Sequence, residues 1–400
     1  MPAYDGKDNQ HSKRGAFMVK RILIVLTLIF LFVSCASVRI CAEDEFRAAD
    51  EYISMLDQLP DEIRDLLPDK LFSSNVSDIE NGAEEAISFG YIIEVIVNQL
   101  GLEIKGVLKL FVSILGLLLL SSLMSSVKTS FSSSGIQSSF SVVTSCAVFL
   151  TAFACEYTVV KAVSVFFERL CLFVNSFLPL STALYAMGGN VASAVVHHSS
   201  LMIFITLVEN FCAHSALPIT GICLSLTTVG AFVQDINVGA ISKFFKKTYT
   251  QLLSLLMTVF VTVMGAQSLL AGKSDTLAGK AAKFAVSNLI PTVGTALAGT
   301  LGTVAASIEY IRASVGIVGI VIVILLLVPT LVTLILTRLA FSLLGCISDV
   351  LGCTNEKKIL DEISGVNGFL LALTAISSVG LIFIMTIFAK CSSAAGGGLL

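Results

Sequence analysis

The sequence is short of charge. Of its 400 residues only 13% are Asp, Glu, Lys or Arg, while 55% are apolar. A soluble domain is roughly one quarter charged, and a surface this poor in charge would not stay dissolved. Most of the chain must therefore face lipid or other apolar helices, which excludes the soluble-enzyme classes. A net charge of -3 with no basic patch excludes nucleic-acid binding. The usual chemical motifs are missing too. There is no GxxxxGK(S/T) phosphate loop, no HExxH, no GxSxG, and no nucleophile beside a base. The ten cysteines form neither a CxxC nor a Cys/His zinc spacing. Most sit in apolar runs, as small hydrophobes. His197 and His198 read as part of a short polar loop, and neighbouring His side chains on a helix point different ways. The expectation is no catalytic residue, no cofactor and no metal site.

What charge there is lies unevenly. From Glu43 to Glu103 there are 16 Asp/Glu against three Lys/Arg; from Lys105 onward there are 16 Lys/Arg against 10 Asp/Glu. Before the acidic stretch, Lys13, Arg14, Lys20 and Arg21 precede the apolar run Ile22–Val33, and small residues follow. That order is a secretory signal peptide. It predicts residues 1–42 as a leader, cleaved after Ala36 or Ala42, with the start at Met1 or Met18. The chain from Glu43 then begins outside the membrane. Residues 43–104 read as short amphipathic helices: Met55, Leu56 and Leu59 form one stripe, Ile63, Leu66 and Leu67 a second, and residues 86–100 a third. This segment is either a solvated linker or a docking surface for a partner protein.

Residues 105–390 read as a polytopic body. A ruler of about 20 residues per span gives nine spans: 106–125, 140–160, 166–186, 199–216, 217–234, 250–271, 285–305, 314–337 and 367–389. Glu156, Lys161, Glu168 and Arg169 then fall at span ends, where long side chains snorkel. Glu209 falls inside a span, and an intramembrane carboxylate is a candidate coupling site. Alternation places Lys243, Lys246 and Lys247 in the cytoplasm together with Arg312 and Lys390. It puts Lys273, Lys280 and Lys283 outside, against the positive-inside rule. Either one span is misplaced, or residues 273–284 form an element of their own, a loop leading into an interfacial helix. Residues 345–366 read as a surface-lying amphipathic helix pair, and 391–400 as a disordered tail. Ala298 and Gly302 allow close helix approach, within one chain or between two.

Several motifs in this body have a familiar order. Asn175-Ser-Phe-Leu-Pro-Leu180 is followed by Gly188-Gly-Asn190. Then come Lys280-Ala-Ala-Lys-Phe284, Asn288-Leu-Ile-Pro-Thr-Val-Gly294, Ser307-Ile-Glu-Tyr-Ile-Arg312 and Gly316-Ile-Val-Gly319. The sequence resembles the stage III sporulation protein AE family of endospore-forming bacteria from about residue 45 to 390. The resemblance implies a multi-pass protein of the mother-cell membrane around the forespore. It also implies membrane partners from the same sporulation operon, a forespore-side partner, and a channel or secretion-like complex that supports late forespore development. It brings no catalytic residues. Lys280, Lys283, Asn288, Pro291 and Gly294 become candidates for a pore or assembly element. The fold expected is all-α: a polytopic membrane protein with a cleaved signal peptide and a short acidic helical extracytoplasmic segment. Two other readings stay open, a secondary transporter using Glu209 and a non-conducting scaffold.

Overall fold

The computed structural model describes residues 52–59, 61–64, 67–73, 76–127, 134–232, 238–289 and 294–390. The expected signal peptide, its cleavage site, the alternative starts and the tail lie outside the described residues. The helices belong to one compact unit, Ile53–Leu400.

Every regular element among the described residues is helical. After single turns at Asp61–Arg64 and Asp69–Phe72 come α1 (Val76–Ile87), α2 (Phe89–Val127), α3 (Ser134–Met187) and α4 (Val191–Leu207). A π-helical segment, Val208–Ala216, leads into α5 (Leu217–Phe232), α6 (Val238–Leu289), α7 (Gly294–Val350) and α8 (Thr354–Lys390). Six helices among the described residues are long and apolar enough to cross a membrane, within α2, α3, α4, α6, α7 and α8. That fits a multi-pass membrane protein.

The nine-span ruler divides this body differently. Spans expected at 140–160 and 166–186 are one helix, α3, of 54 residues. The span expected at 285–305 straddles the end of α6 at Leu289 and the start of α7 at Gly294. The span expected at 217–234 is α5, which has 16 residues and is not among the six. Residues 273–284 are neither a loop nor a separate helix, because α6 runs through them unbroken. For α3 and for residues 273–284 the physical reason is the same. Charged side chains end an apolar run in the sequence, but they do not interrupt backbone hydrogen bonding. Helices of 52 to 57 residues are about 80 Å long, so they cross a hydrocarbon layer of about 30 Å with length to spare.

Helix α8 serves as a ruler for the bundle. It turns back from α7 at Gly352, whose φ of 71° suits glycine. The two helices are antiparallel: Gly345 meets Asp361, Gly368 meets Arg338, and Gly316 meets Ala389. At Gly316 a Cβ would stand 2.7 Å from the Ala389 Cβ, so the backbones touch there. The uncharged run Gly316–Thr337 therefore lies level with residues 368–389 of α8. Helix α3 runs parallel to α8, with Thr144 and Ser145 at Glu356 and Phe177 against Phe388. Helix α6 is parallel too, with Lys246 at Glu362, Tyr249 at Phe369 and Met257 at Gly380. Helix α4 and the π-helical segment after it run the opposite way, with His197 at Phe388 and Cys212 at Ser377.

These pairings give the bundle two ends, one at Gly352 and one at Arg312. Lys246 belongs to the Gly352 end. Arg312 and Lys390 belong to the other, about 40 Å away along α8. The expectation that Lys246, Arg312 and Lys390 share a side is therefore overturned. Gln58 of the acidic segment meets the Arg312 end, where it accepts a hydrogen bond from Ser176. Met55, Leu56 and Leu59 are buried as their spacing predicts. The third amphipathic helix, expected at 86–100, is split: α1 stops at Ile87, and α2 begins at Phe89 and runs straight on into the first apolar span.

Candidate functional site

Polar side chains are buried along one face of α8. Glu356, Asn367, Thr374 and Ser378 follow one another at intervals of 11, 7 and 4 residues, which keeps them on one helical stripe. All four are buried. At the Gly352 end, Glu356 accepts hydrogen bonds from Ser121 of α2 (2.9 Å) and from Thr144 (3.3 Å) and Ser145 (3.1 Å) of α3. That carboxylate ties three helices together. Six residues on, Glu362 holds Lys246 of α6 at 3.0 Å, with Lys243 at 3.9 Å. Lys246 also packs against Gly365.

Glu156 of α3 is different. It is 0% exposed, and neither carboxylate oxygen has a hydrogen-bond partner. Asn367 faces it without reaching hydrogen-bond geometry, and Lys246 is close enough to act on its charge. The expectation that Glu156 snorkels at a span end is wrong, because α3 continues and buries it against α8.

The same correction moves three more charges. With Glu156 level with Asn367 and Phe177 level with Phe388, Glu168 and Arg169 sit midway along the apolar layer. Glu168 is exposed, Arg169 half-buried, and Lys161 is exposed two turns nearer the Gly352 end. Glu209, in the π-helical segment, is also exposed, and its charge reaches Cys171 of α3. Glu168 and Glu209 are thus exposed, and Arg169 half-buried, at the level of the apolar run of α8, where a charge facing lipid is costly.

A third group lies at the Arg312 end. Arg312 is 0% exposed. Its Cζ lies 4.9 Å from the Tyr185 ring centroid. His197 is buried and packs on Tyr185 (5.3 Å) and Phe388 (5.0 Å); it lies within α4, not in the polar loop expected. None of the three Arg312 guanidinium nitrogens has a hydrogen-bond partner, and nor does His197 Nε2. A desolvated cation–π contact contributes about 2 kcal/mol. Burying an ion costs several kcal/mol, so Tyr185 alone leaves Arg312 undercompensated. Beside this group, Gly189 (φ 74°) closes the turn from α3 to α4. Asp275 of α6 accepts hydrogen bonds from the Ala192 and Ser193 amides (2.9 and 2.8 Å), capping α4.

The motif candidates gather elsewhere. Lys280 and Lys283 lie on α6 beyond Asp275, Asn288 is in its last turn, and Gly294 starts α7. Pro291 and the Asn288 side chain lie outside what is described. Lys280 is exposed, whereas Lys283 packs its ammonium against Gly302 of α7. Lys280, Lys283 and Gly294 lie in the outer part of an antiparallel α6–α7 pair that extends α7 about 27 Å beyond Arg312. The structure therefore separates the motif candidates from Glu209 and from the buried polar stripe. Among the described residues, no three His, Cys, Asp or Glu side chains are grouped to hold a metal ion.

Residues 71–394 match the family model described as stage III sporulation protein AE. The chain is also 21% identical over 220 residues to the stage III sporulation protein AE of Bacillus subtilis (strain 168), a match covering 55% of each chain. It thus spans about half the length of the curated relative it matches. No solved structure matches it.

Proposed function

The chain belongs to the stage III sporulation protein AE family, and we propose that it is an integral membrane subunit of a channel or secretion-like complex joining mother cell and forespore. Its place is the mother-cell membrane around the forespore. Its partners are other membrane proteins of the same sporulation operon and a forespore-side protein. The role is non-enzymatic.

One observation carries this reading beyond family membership: the exposed charges Glu168 and Glu209, with Arg169, at hydrocarbon depth. Charges inside a bilayer face protein or a water-filled cavity. A bundle standing alone in lipid has no use for them, whereas a subunit of a larger pore-forming assembly does. The stand-alone transporter reading needs Glu209 inside the bundle, and its side chain faces outward.

Deletion of the gene in its spore-forming host is expected to cut the yield of heat-resistant spores sharply. Restoring the wild-type gene should recover the yield, and a fluorescent fusion should ring the forespore. The double variant Glu168→Leu/Glu209→Leu should reach the membrane yet fail to recover heat-resistant spores. A deletion strain that sporulates normally would refute the proposal. Full recovery by the double variant would remove the argument from the charged face.

A further inference from the structure

We propose that the outward face of α6 from Leu270 to Phe284 docks an acidic amphipathic helix of a partner protein. The proposal deepens the reading of the chain as one subunit of a larger assembly and rests on it. Ala271 and Asp275 turn toward the bundle and are buried, and Lys283 packs on Gly302 of α7. The opposite face is exposed. Leu270, Leu277 and Phe284 are 68%, 70% and 70% exposed there, and Lys273 and Lys280 are exposed between them. The three apolar residues recur at intervals of seven, and a lysine follows each of the first two by three. That is the a and d spacing of a coiled-coil seam, with Lys at d.

Lipid does not cover this face. Met257 lies at Gly380, and Gly316 at Ala389. With α6 parallel to α8, Leu270 therefore stands near the level of Arg312, one turn outside the uncharged run. Leu277 and Phe284 are then about 10 and 20 Å farther out. The headgroup layer is about 5–8 Å deep on each side of the hydrocarbon, so those two side chains stand clear of it. Helix α6 is continuous here with its spanning part, so it does not turn to lie along the surface. A second copy of this chain does not fit either. Paired in parallel, the seam would set Lys273 and Lys280 against the same lysines; paired antiparallel, it would press them onto Leu or Phe. Asp275 is the only acidic residue of α6, and it is committed to the α4 amides. The partner that fits carries large apolar side chains at the same spacing and Asp or Glu opposite the two lysines.

The test is photocrosslinking of the full chain in membranes of the sporulating host. A photoreactive phenylalanine analogue replaces Leu277, and in a control it replaces Leu255, which is exposed within the apolar layer. Mass spectrometry identifies the crosslinked segment. The result expected is an adduct from position 277 to a segment of another protein that carries Asp or Glu at heptad spacing. Lys273→Glu/Lys280→Glu should lower its yield about tenfold at equal protein level, because like charges then face each other. Lys273→Arg/Lys280→Arg should keep it. Both lysines are exposed, so neither double change disturbs the bundle. An absent adduct, a crosslink to a second copy or within this chain, the same adduct from position 255, or a yield that survives the charge reversal overturns the proposal. The two readings fail separately. Normal heat-resistant spores from the deletion strain refute the sporulation role, whereas a missing adduct in a host that needs the gene refutes the docking face alone.

Discussion

Lys246 and Glu362 show how much a single side chain does here. Both are about nine-tenths buried and meet at 3.0 Å. Removing one partner of a buried pair strands the other, which costs about 3–5 kcal/mol, whereas removing both is often neutral. Lys246→Met should therefore lower the unfolding midpoint clearly, and Lys246→Met/Glu362→Leu should restore most of the loss. Equal loss in the single and double variants would show that the pair is not coupled. The sequence disclosed such residues unevenly. Glu209 was visible because it stands in an apolar run that a ruler of span length accepts. Glu168 and Arg169 lie at a similar level, yet the charges along α3 cut it into two plausible spans and so made them span-end residues. The burial of Arg312 depends on Tyr185 and Phe388, more than 70 residues away on either side, and no local pattern contains that information.

Among the elements, α4 shows a helix start fixed from outside its own sequence. Asn190 precedes it, but no side-chain cap bond forms there; Asp275 of α6 supplies both hydrogen bonds instead. Asp275→Ala should destabilise the protein by about 0.5–2 kcal/mol, the range for losing a helix cap, and Asp275→Asn should be milder. Amide hydrogen exchange at Ala192 and Ser193 should rise in the Ala variant; unchanged exchange there would mean that Asp275 is not their effective cap. Gly316 gives a second test of packing. Gly316→Leu must push α7 away from Ala389 and Phe388, because even a Cβ would clash at 2.7 Å. Its expected effect is loss of folded protein from detergent extracts, whereas Gly299→Ala, with nothing within 4 Å, should be well tolerated. The helical class and the apolar runs were legible because hydrophobic length is a strong signal. Helix boundaries were not, because α2, α3, α6 and α7 run on past their apolar stretches, and the sequence alone does not mark where lipid ends on a continuous helix.

The molecule as a whole makes a claim about sidedness. The acidic segment sits at the Arg312 end, through Gln58 and Ser176. Lys243, Lys246, Lys247, Arg338, Lys357 and Lys358 gather toward the Gly352 end, as their positions along α6, α7 and α8 require. If the basic end is cytoplasmic, the acidic segment and the α6–α7 hairpin with Lys280 and Lys283 face outward, and the lysines of the hairpin become an exception that a partner surface would explain. Single cysteines at Lys247 and Lys280, in a chain otherwise free of cysteine, separate the cases in intact cells. An impermeant thiol reagent should label the Lys280 position and spare the Lys247 position. The reverse pattern would turn the molecule over, placing the hairpin and the acidic segment in the cytoplasm. Labelling of neither would mean that the hairpin is covered. Repeating the experiment without the other proteins of the operon would then decide whether they are what covers it: labelling that appears at the Lys280 position only in their absence identifies the hairpin as their docking surface.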